Sequence, residues 1–254
     1  MDHNNILGTV LAGGKSQRFG EDKSQVKLGD KLLIDYILSE IIDEFNEVLV
    51  VSNNPINSKY SKKISLIKDF KKDLGPLGGV LTAMKWAKDN NKDYQWISTF
   101  PADTPFFKNL ILKDFLKSIN LNESKLFFIK SNNTRHNIFG LWSIDLMDKL
   151  EEDLNKGERK VEVWANSIGV KSINMKFENE DPFFNINTKD DFKKVISHAK
   201  EFGFVFPSSE IYDGLSATYD YAQNGVELKN NIKKYWWMSM VQMHENIVGL
   251  DAAI

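Results

Sequence analysis

Cysteine is absent from these 254 residues, which excludes disulfides and thiolate metal sites. Histidine is scarce, with four in the chain, and no Ser-His or Cys-His constellation for nucleophilic catalysis stands out. No apolar run approaches the roughly 18 residues that a membrane-spanning helix needs. The start, Met1-Asp2-His3-Asn4-Asn5, has neither the basic region nor the apolar stretch of a signal peptide. A cytoplasmic protein without a membrane partner is therefore expected. The net charge is −2, so no global basic field draws nucleic acid, which is not expected as a partner. Two well-known phosphate motifs are missing as well. Gly14-Lys15-Ser16 matches the second half of a Walker loop, but Thr9 stands where its first glycine belongs. The dinucleotide fingerprint fails because Lys15 occupies the place of its second glycine.

What the chain does have is a glycine turn directly after an apolar run. Ile6-Leu7-Gly8-Thr9-Val10 reads as a buried strand, and Leu11-Ala12-Gly13-Gly14 follows it. A glycine pair at a strand end lets the backbone turn tightly and bring its N–H groups close to an anion. Arg18 and Lys23 then add fixed positive charge. An ordinary strand-to-helix turn explains the glycines alone. Glycines with Arg18, Gly20 and Lys23 describe a cradle for a polyphosphate.

Short apolar runs alternate with helical patterns along the first 200 residues. The patterning predicts strands over residues 6–11, 47–52, 64–68, 94–99, 125–130 and 170–176. Helices are predicted over residues 32–45, 77–88, 109–119, 144–154 and 189–199. Such alternation implies an α/β fold, with a doubly wound and mainly parallel sheet. In sheets of this kind ligands bind at the carboxyl ends of the strands. Asp69 ends the third predicted strand, and Pro101-Ala102-Asp103-Thr104-Pro105 follows the fourth. Both aspartates thus fall on the edge that carries the glycine turn. Their hard oxygens suit Mg²⁺, which usually takes one or two carboxylates plus substrate phosphates. Gly75-Pro76-Leu77-Gly78-Gly79 offers a second flexible backbone segment at a helix start. Asn185 and Asn187 lie two apart on an extended stretch and so face one side together, ahead of Thr188, a predicted helix cap with Asp191 three residues on.

Taken in order, these segments resemble the molybdenum cofactor guanylyltransferase family over about residues 5–200. The segments are residues 11–23, Asp69, residues 75–79, residues 102–105, Gly157-Glu158-Arg159-Lys160-Val161 and residues 185–188. The opening motif is shared by many nucleotidyltransferases, whereas the Gly-Glu-Arg-Lys-Val segment with the Asn-x-Asn-Thr close is more specific to the guanylyl branch. The resemblance implies a Rossmann-like nucleotidyltransferase fold and a reaction that joins the phosphate of molybdopterin to the α-phosphate of GTP. It implies that Leu11, Ala12, Gly13, Gly14, Ser52, Asp69 and Gly78 line the nucleotide site. Lys23 would bind the triphosphate, and Arg18 and Lys23 would act in catalysis by stabilising charge on the leaving pyrophosphate. Asp103 would hold Mg²⁺, and Asn185 and Asn187 would meet the acceptor. Molybdoenzymes or cofactor-insertion proteins are the implied partners besides GTP and molybdopterin. Phe19 and Ala102 replace the family's usual Met and Cys, both apolar swaps. Arg135-His136-Asn137 stands where many members carry His-Pro, which bears on acceptor contacts rather than on nucleotide chemistry. His136 itself reads as a surface or packing histidine. The same fold acting on CTP or on a sugar phosphate remains an alternative, as does a non-catalytic interaction protein.

The pattern changes near residue 201. Residues 202–254 resemble the amino-terminal end of glycyl-tRNA synthetase and stop near the end of that family's first class II motif. The ATP-binding and acceptor-end motifs do not follow, so aminoacylation is not expected. Seven acids and three lysines after residue 200 give a balance of −4, which is unfavourable for tRNA. A helical pattern over residues 226–244 is rich in aromatics but has no room for a core of its own. Residues 201–254 are expected to be an α-rich extension rather than an independent domain, read as a fusion remnant with an interaction tail as the alternative.

Overall fold

The computed structural model describes residues 5–13, 26–28, 31–71, 73–90, 93–177, 181–186, 194, 197, 201–208, 219–243 and 246–247. Two compact units emerge, Met1–Asn187 and Thr188–Ile254.

In the first unit β1 (Ile6–Leu11) is followed by a small ribbon, β2 (Lys27–Leu28) with β3 (Lys31–Leu32), and by α1 (Leu33–Ile41). Then come β4 (Val48–Val51), β5 (Ile64–Ile67), α2 (Gly75–Asp89), β6 (Trp96–Pro101) and α3 (Asn109–Lys117). The unit continues with β7 (Leu126–Ser131), β8 (Thr134–Ser143), a 3₁₀ turn (Ile144–Leu146), α4 (Met147–Asn155), α5 (Val161–Ile168) and β9 (Lys171–Met175). Seven strands form one sheet in the order β5-β4-β1-β6-β8-β7-β9. The pairs β4–β5, β1–β4, β1–β6 and β7–β9 are parallel, whereas β8 runs antiparallel to both β6 and β7. The doubly wound, mainly parallel expectation therefore holds.

Period-two alternation in the strands builds the two faces. Ile6 and Val10 of β1 face a cluster with Ile37, Leu38 and Ile41 of α1 and with Leu112 and Phe115 of α3. Leu7 of β1 faces the opposite cluster, with Leu77, Val80 and Met84 of α2, Leu150 of α4 and Trp164 of α5. Ile37 and Leu38 are fully buried, and each such side chain contributes about 1.5–3 kcal/mol through burial.

Besides the short strands β2 and β3, two elements of the first unit were not anticipated from the sequence. β8 opens with polar residues, and Gly140 interrupts it, so no simple alternation marks it. Its signal was the turn: Asn132 and Asn133 both adopt positive φ, at 47° and 62°, as a two-residue hairpin requires. α5 follows the Gly157–Val161 segment, where the Glu158 carboxylate accepts the backbone N–H groups of Arg159 and Lys160 at 2.8 Å each. Arg159 in turn donates to the Leu154 carbonyl at 2.6 Å. In this structure the Gly-Glu-Arg-Lys-Val segment is thus a helix–helix connection turned on the Glu158 carboxylate, with Lys160 as the N-cap residue of α5 and no side-chain cap bond. Of the helix predicted over residues 189–199 only residues 194 and 197 are described, both helical, and its cap Thr188 lies outside the described residues.

In the second unit β10 (Val205–Pro207) pairs antiparallel with β11 (Tyr219–Tyr221), and α6 (Gln223–Trp237) runs on into a π-helical turn (Met238–Gln242). Among its described residues only Gly203 and Gly225 are buried. Leu228, Ile232, Tyr235 and Trp236 all lie exposed along the helix. No helix among the described residues is long and apolar enough to cross a membrane.

Candidate active site

Because β5, β4, β1 and β6 are parallel neighbours, their carboxyl ends lie on one edge. Backbone bonds hold that edge together. The Ala12 N–H donates to the Val51 carbonyl at 2.9 Å, Ser52 N–H to Ile67 at 2.8 Å and Ala102 N–H to Leu11 at 3.3 Å. Leu11 and Ala12 are thereby fixed between the ends of β4 and β6.

Asp69 follows β5 on this edge. A Cβ added to Gly13 would lie 3.0 Å from the Asp69 carboxylate. One added to Gly79 would lie 3.0 Å from Leu11 and 3.8 Å from Asp69. Both glycines are therefore there for close approach: the turn after β1 and the first turn of α2 converge on one carboxylate. Gly78 packs in the same turn against Leu74, and its carbonyl accepts the Thr82 hydroxyl at 2.8 Å. That hydroxyl accepts the Phe70 N–H at 2.9 Å, which ties the residue after Asp69 to α2. Asn53 donates its side-chain amide to Asp69 at 2.7 Å. Burial pushes the Asp69 carboxyl above its ordinary pKa, and the Asn53 bond pulls it partly back.

Ser52 is 3% exposed. Its hydroxyl donates to the Asn54 carbonyl at 3.0 Å and accepts the Asn54 N–H at 3.3 Å. It shapes the loop, and the neighbouring Asn53 reaches the site. Sequence reasoning missed Asn53, although the run of two asparagines after a buried strand was a visible signal.

Asp103 lies half-buried in the turn after β6. Its carbonyl accepts the Ile186 N–H at 3.0 Å, which brings exposed Asn185 beside the Asp103 turn although they are distant in sequence. Thr104 closes that turn by donating to the Pro101 carbonyl at 3.2 Å. Gly14, Arg18, Lys23 and Asn187 lie outside the described residues. The structure thus gathers Leu11, Ala12, Gly13, Asp69 and Gly78 at one end of the edge, and joins Asp103 to the Asn185 segment at the other.

A doubly wound sheet with a glycine turn, a half-buried aspartate and a second aspartate along one edge defines a nucleotide-handling α/β enzyme. Residues 8–167 match the model of the MobA-like NTP transferase domain, and the chain belongs to that family of nucleotidyltransferases. It is 34% identical to a molybdenum cofactor guanylyltransferase of Haemophilus influenzae over 196 residues, which cover 75% of this chain and 97% of that protein. The solved structure of molybdopterin-guanine dinucleotide biosynthesis protein A from Archaeoglobus fulgidus shares the fold, with a TM-score of 0.59 and 23% identity over 77% of this chain and 99% of that one. A further 60 residues, 24% of the chain, are 68% identical to a glycine–tRNA ligase of Borreliella burgdorferi. This chain spans only 14% of that ligase, so the likeness covers a fragment.

Proposed function

We propose that the chain transfers GMP from GTP to molybdopterin and releases pyrophosphate. A phosphate oxygen of the acceptor attacks the α-phosphorus, the α–β bridging bond breaks, and the electron pair leaves with pyrophosphate. Such transfers need in-line positioning and charge neutralisation more than a nucleophilic side chain. The reading is supported above all by the bond between Ile186 N–H and the Asp103 carbonyl, since it leaves Asn185, the proposed acceptor contact, next to the turn of the proposed metal carboxylate.

The backbone amides of Gly13 and Gly14, with Arg18 and Lys23, stabilise charge that builds on the leaving pyrophosphate. Asp69, held by Asn53, orients the nucleotide. Asn185 and Asn187 orient the acceptor. Asp103 supplies a hard carboxylate at a strand end. Asp103 with the triphosphate oxygens would hold Mg²⁺, which usually takes one or two carboxylates plus substrate phosphates. When bound, Mg²⁺ neutralises phosphate charge and polarises the α-phosphorus. Insertion proteins or molybdoenzymes would then receive the product.

The test is pyrophosphate release with molybdopterin and each of the four NTPs, for the full chain and for a chain ending at residue 200. Release with GTP alone, lost on chelation and restored by Mg²⁺, is expected from both. Turnover of CTP in preference to GTP would overturn the nucleotide assignment. Turnover with a sugar phosphate but not with molybdopterin would overturn the acceptor.

A further inference from the structure

Residues 181–186 carry Asn185 past the Asp103 turn without regular secondary structure. No sheet ladder holds them, so beyond the single backbone bond from Ile186 to Asp103 their position comes from side chains. Phe183 is the anchor: it is 5% exposed and packs against Phe139 at 4.9 Å, Phe177 at 5.7 Å and Phe107 at 6.3 Å between ring centroids. Its shortest ring contact is with His136, which stacks on it at 3.9 Å with an interplanar angle of 24°. The Asp181 carboxylate accepts the Phe183 N–H at 3.0 Å and so fixes the turn that presents the ring.

His136 is itself held in place. Its Nε2 lies 2.7 Å from the hydroxyl of buried Ser131 across the β7–β8 hairpin. The register of that hairpin shifts at this point, from Phe128 opposite Gly140 to Ile129 opposite His136. A bulge of this kind re-aims side chains, and here it aims Phe139 at Phe107 with their rings stacked 4.9 Å apart. Phe107 lies at the end of the Asp103 turn, where its N–H bonds the Thr104 carbonyl at 3.5 Å. Burial lowers the histidine's pKa against the pull of Asp181, which favours the neutral ring that a flat stack on phenylalanine suits.

We propose that His136 is a positioning residue for the acceptor. Its ring clamps Phe183, and through Phe183 it keeps Asn185 in register with the Asp103 turn. The clamp rests on the proposed function only for the identity of what Asn185 meets.

The experiment compares His136→Ala, His136→Phe and Ser131→Ala in the full chain. Steady-state kinetics are run with GTP and molybdopterin each varied, and amide hydrogen exchange is followed at Ile186 and Ala12 without substrates. His136→Ala is expected to raise the acceptor KM about tenfold, the contribution of an aromatic pair of this geometry, and to leave the GTP KM within about twofold. Ile186 should exchange faster while Ala12 stays protected. His136→Phe keeps the stack and should recover most of both effects, and Ser131→Ala should show a smaller change of the same kind. Unchanged Ile186 exchange in His136→Ala would overturn the clamp. So would an equal rise in both KM values with general loss of protection, or a His136→Phe variant no better than alanine. A wild-type chain inactive with molybdopterin, with Ile186 exchange still responding to His136→Ala, would sink the acceptor assignment and leave the clamp standing.

Discussion

The two halves of the sheet are built differently. The β5-β4-β1-β6 half is parallel throughout, and its functional edge is held by backbone bonds between strand ends and by glycines that let main chain approach Asp69. The β8-β7-β9 half is mixed, and the segment it supports is held by stacked rings: Phe107, Phe139, His136 and Phe183. Backbone geometry suits a triphosphate, whose charge is met by N–H groups wherever side chains vary. Side-chain packing suits a particular acceptor, because its shape depends on which residues fill it. β6 is the seam, and Asp103 lies at its end.

The seam offers the sharpest test. Asp103→Ala should lower transfer about a thousandfold, the scale of losing a principal electrostatic contact, with thermal unfolding unchanged. Full Mg²⁺-dependent activity in that variant would end the metal role for Asp103. The backbone-built half is probed next. Gly13→Ala places a methyl 3.0 Å from the Asp69 carboxylate. It should cost about a hundredfold in kcat/KM for GTP, as displacements near 1 Å can, with the acceptor KM unchanged. Asn53→Ala should act in the same direction but more weakly, by about tenfold, the worth of one hydrogen bond to a charged group. Equal damage to acceptor binding would erase the distinction between the halves.

The smallest effect is thermodynamic. Because burial raises the Asp69 pKa in the folded state, the folded protein holds this proton more tightly than the unfolded chain. Stability from this group is therefore fully present below the unfolded pKa and declines as pH rises through the folded one. Asp69→Asn removes the ionisation and can still accept from Asn53. Its melting temperature should be at or above wild type at pH 7, and the gap should close as pH falls toward 4. A variant that melts lower at pH 7 would show that the carboxylate stabilises the fold.

The second unit contrasts with both halves. Its helix leaves Leu228, Ile232, Tyr235 and Trp236 exposed, as the lack of room for a core predicted. The aromatic content of residues 226–244 was legible because a helical period needs only local sequence.

Local sequence likewise determined the parallel half. Apolar runs, glycine turns and aspartates at strand ends place one another, since β1, β4 and β6 are each buried along nearly their whole length, with the edge strand β5 partly exposed beside them. The helix predicted from Leu77, which the structure starts at Gly75, and the position of Asp69 were legible for the same reason. β8 was not, because its residues are chosen by the partners it meets across two antiparallel interfaces rather than by alternation. The roles of Asn53 and His136 were decided only in three dimensions. Asn53 is 16 residues from Asp69, and His136 is far along the chain from Phe183. Side chains that act by touching a distant partner carry no periodic signal. The chain alone therefore announces a candidate nucleotide edge, and tertiary packing decides how the segment of Asn185 is held against it.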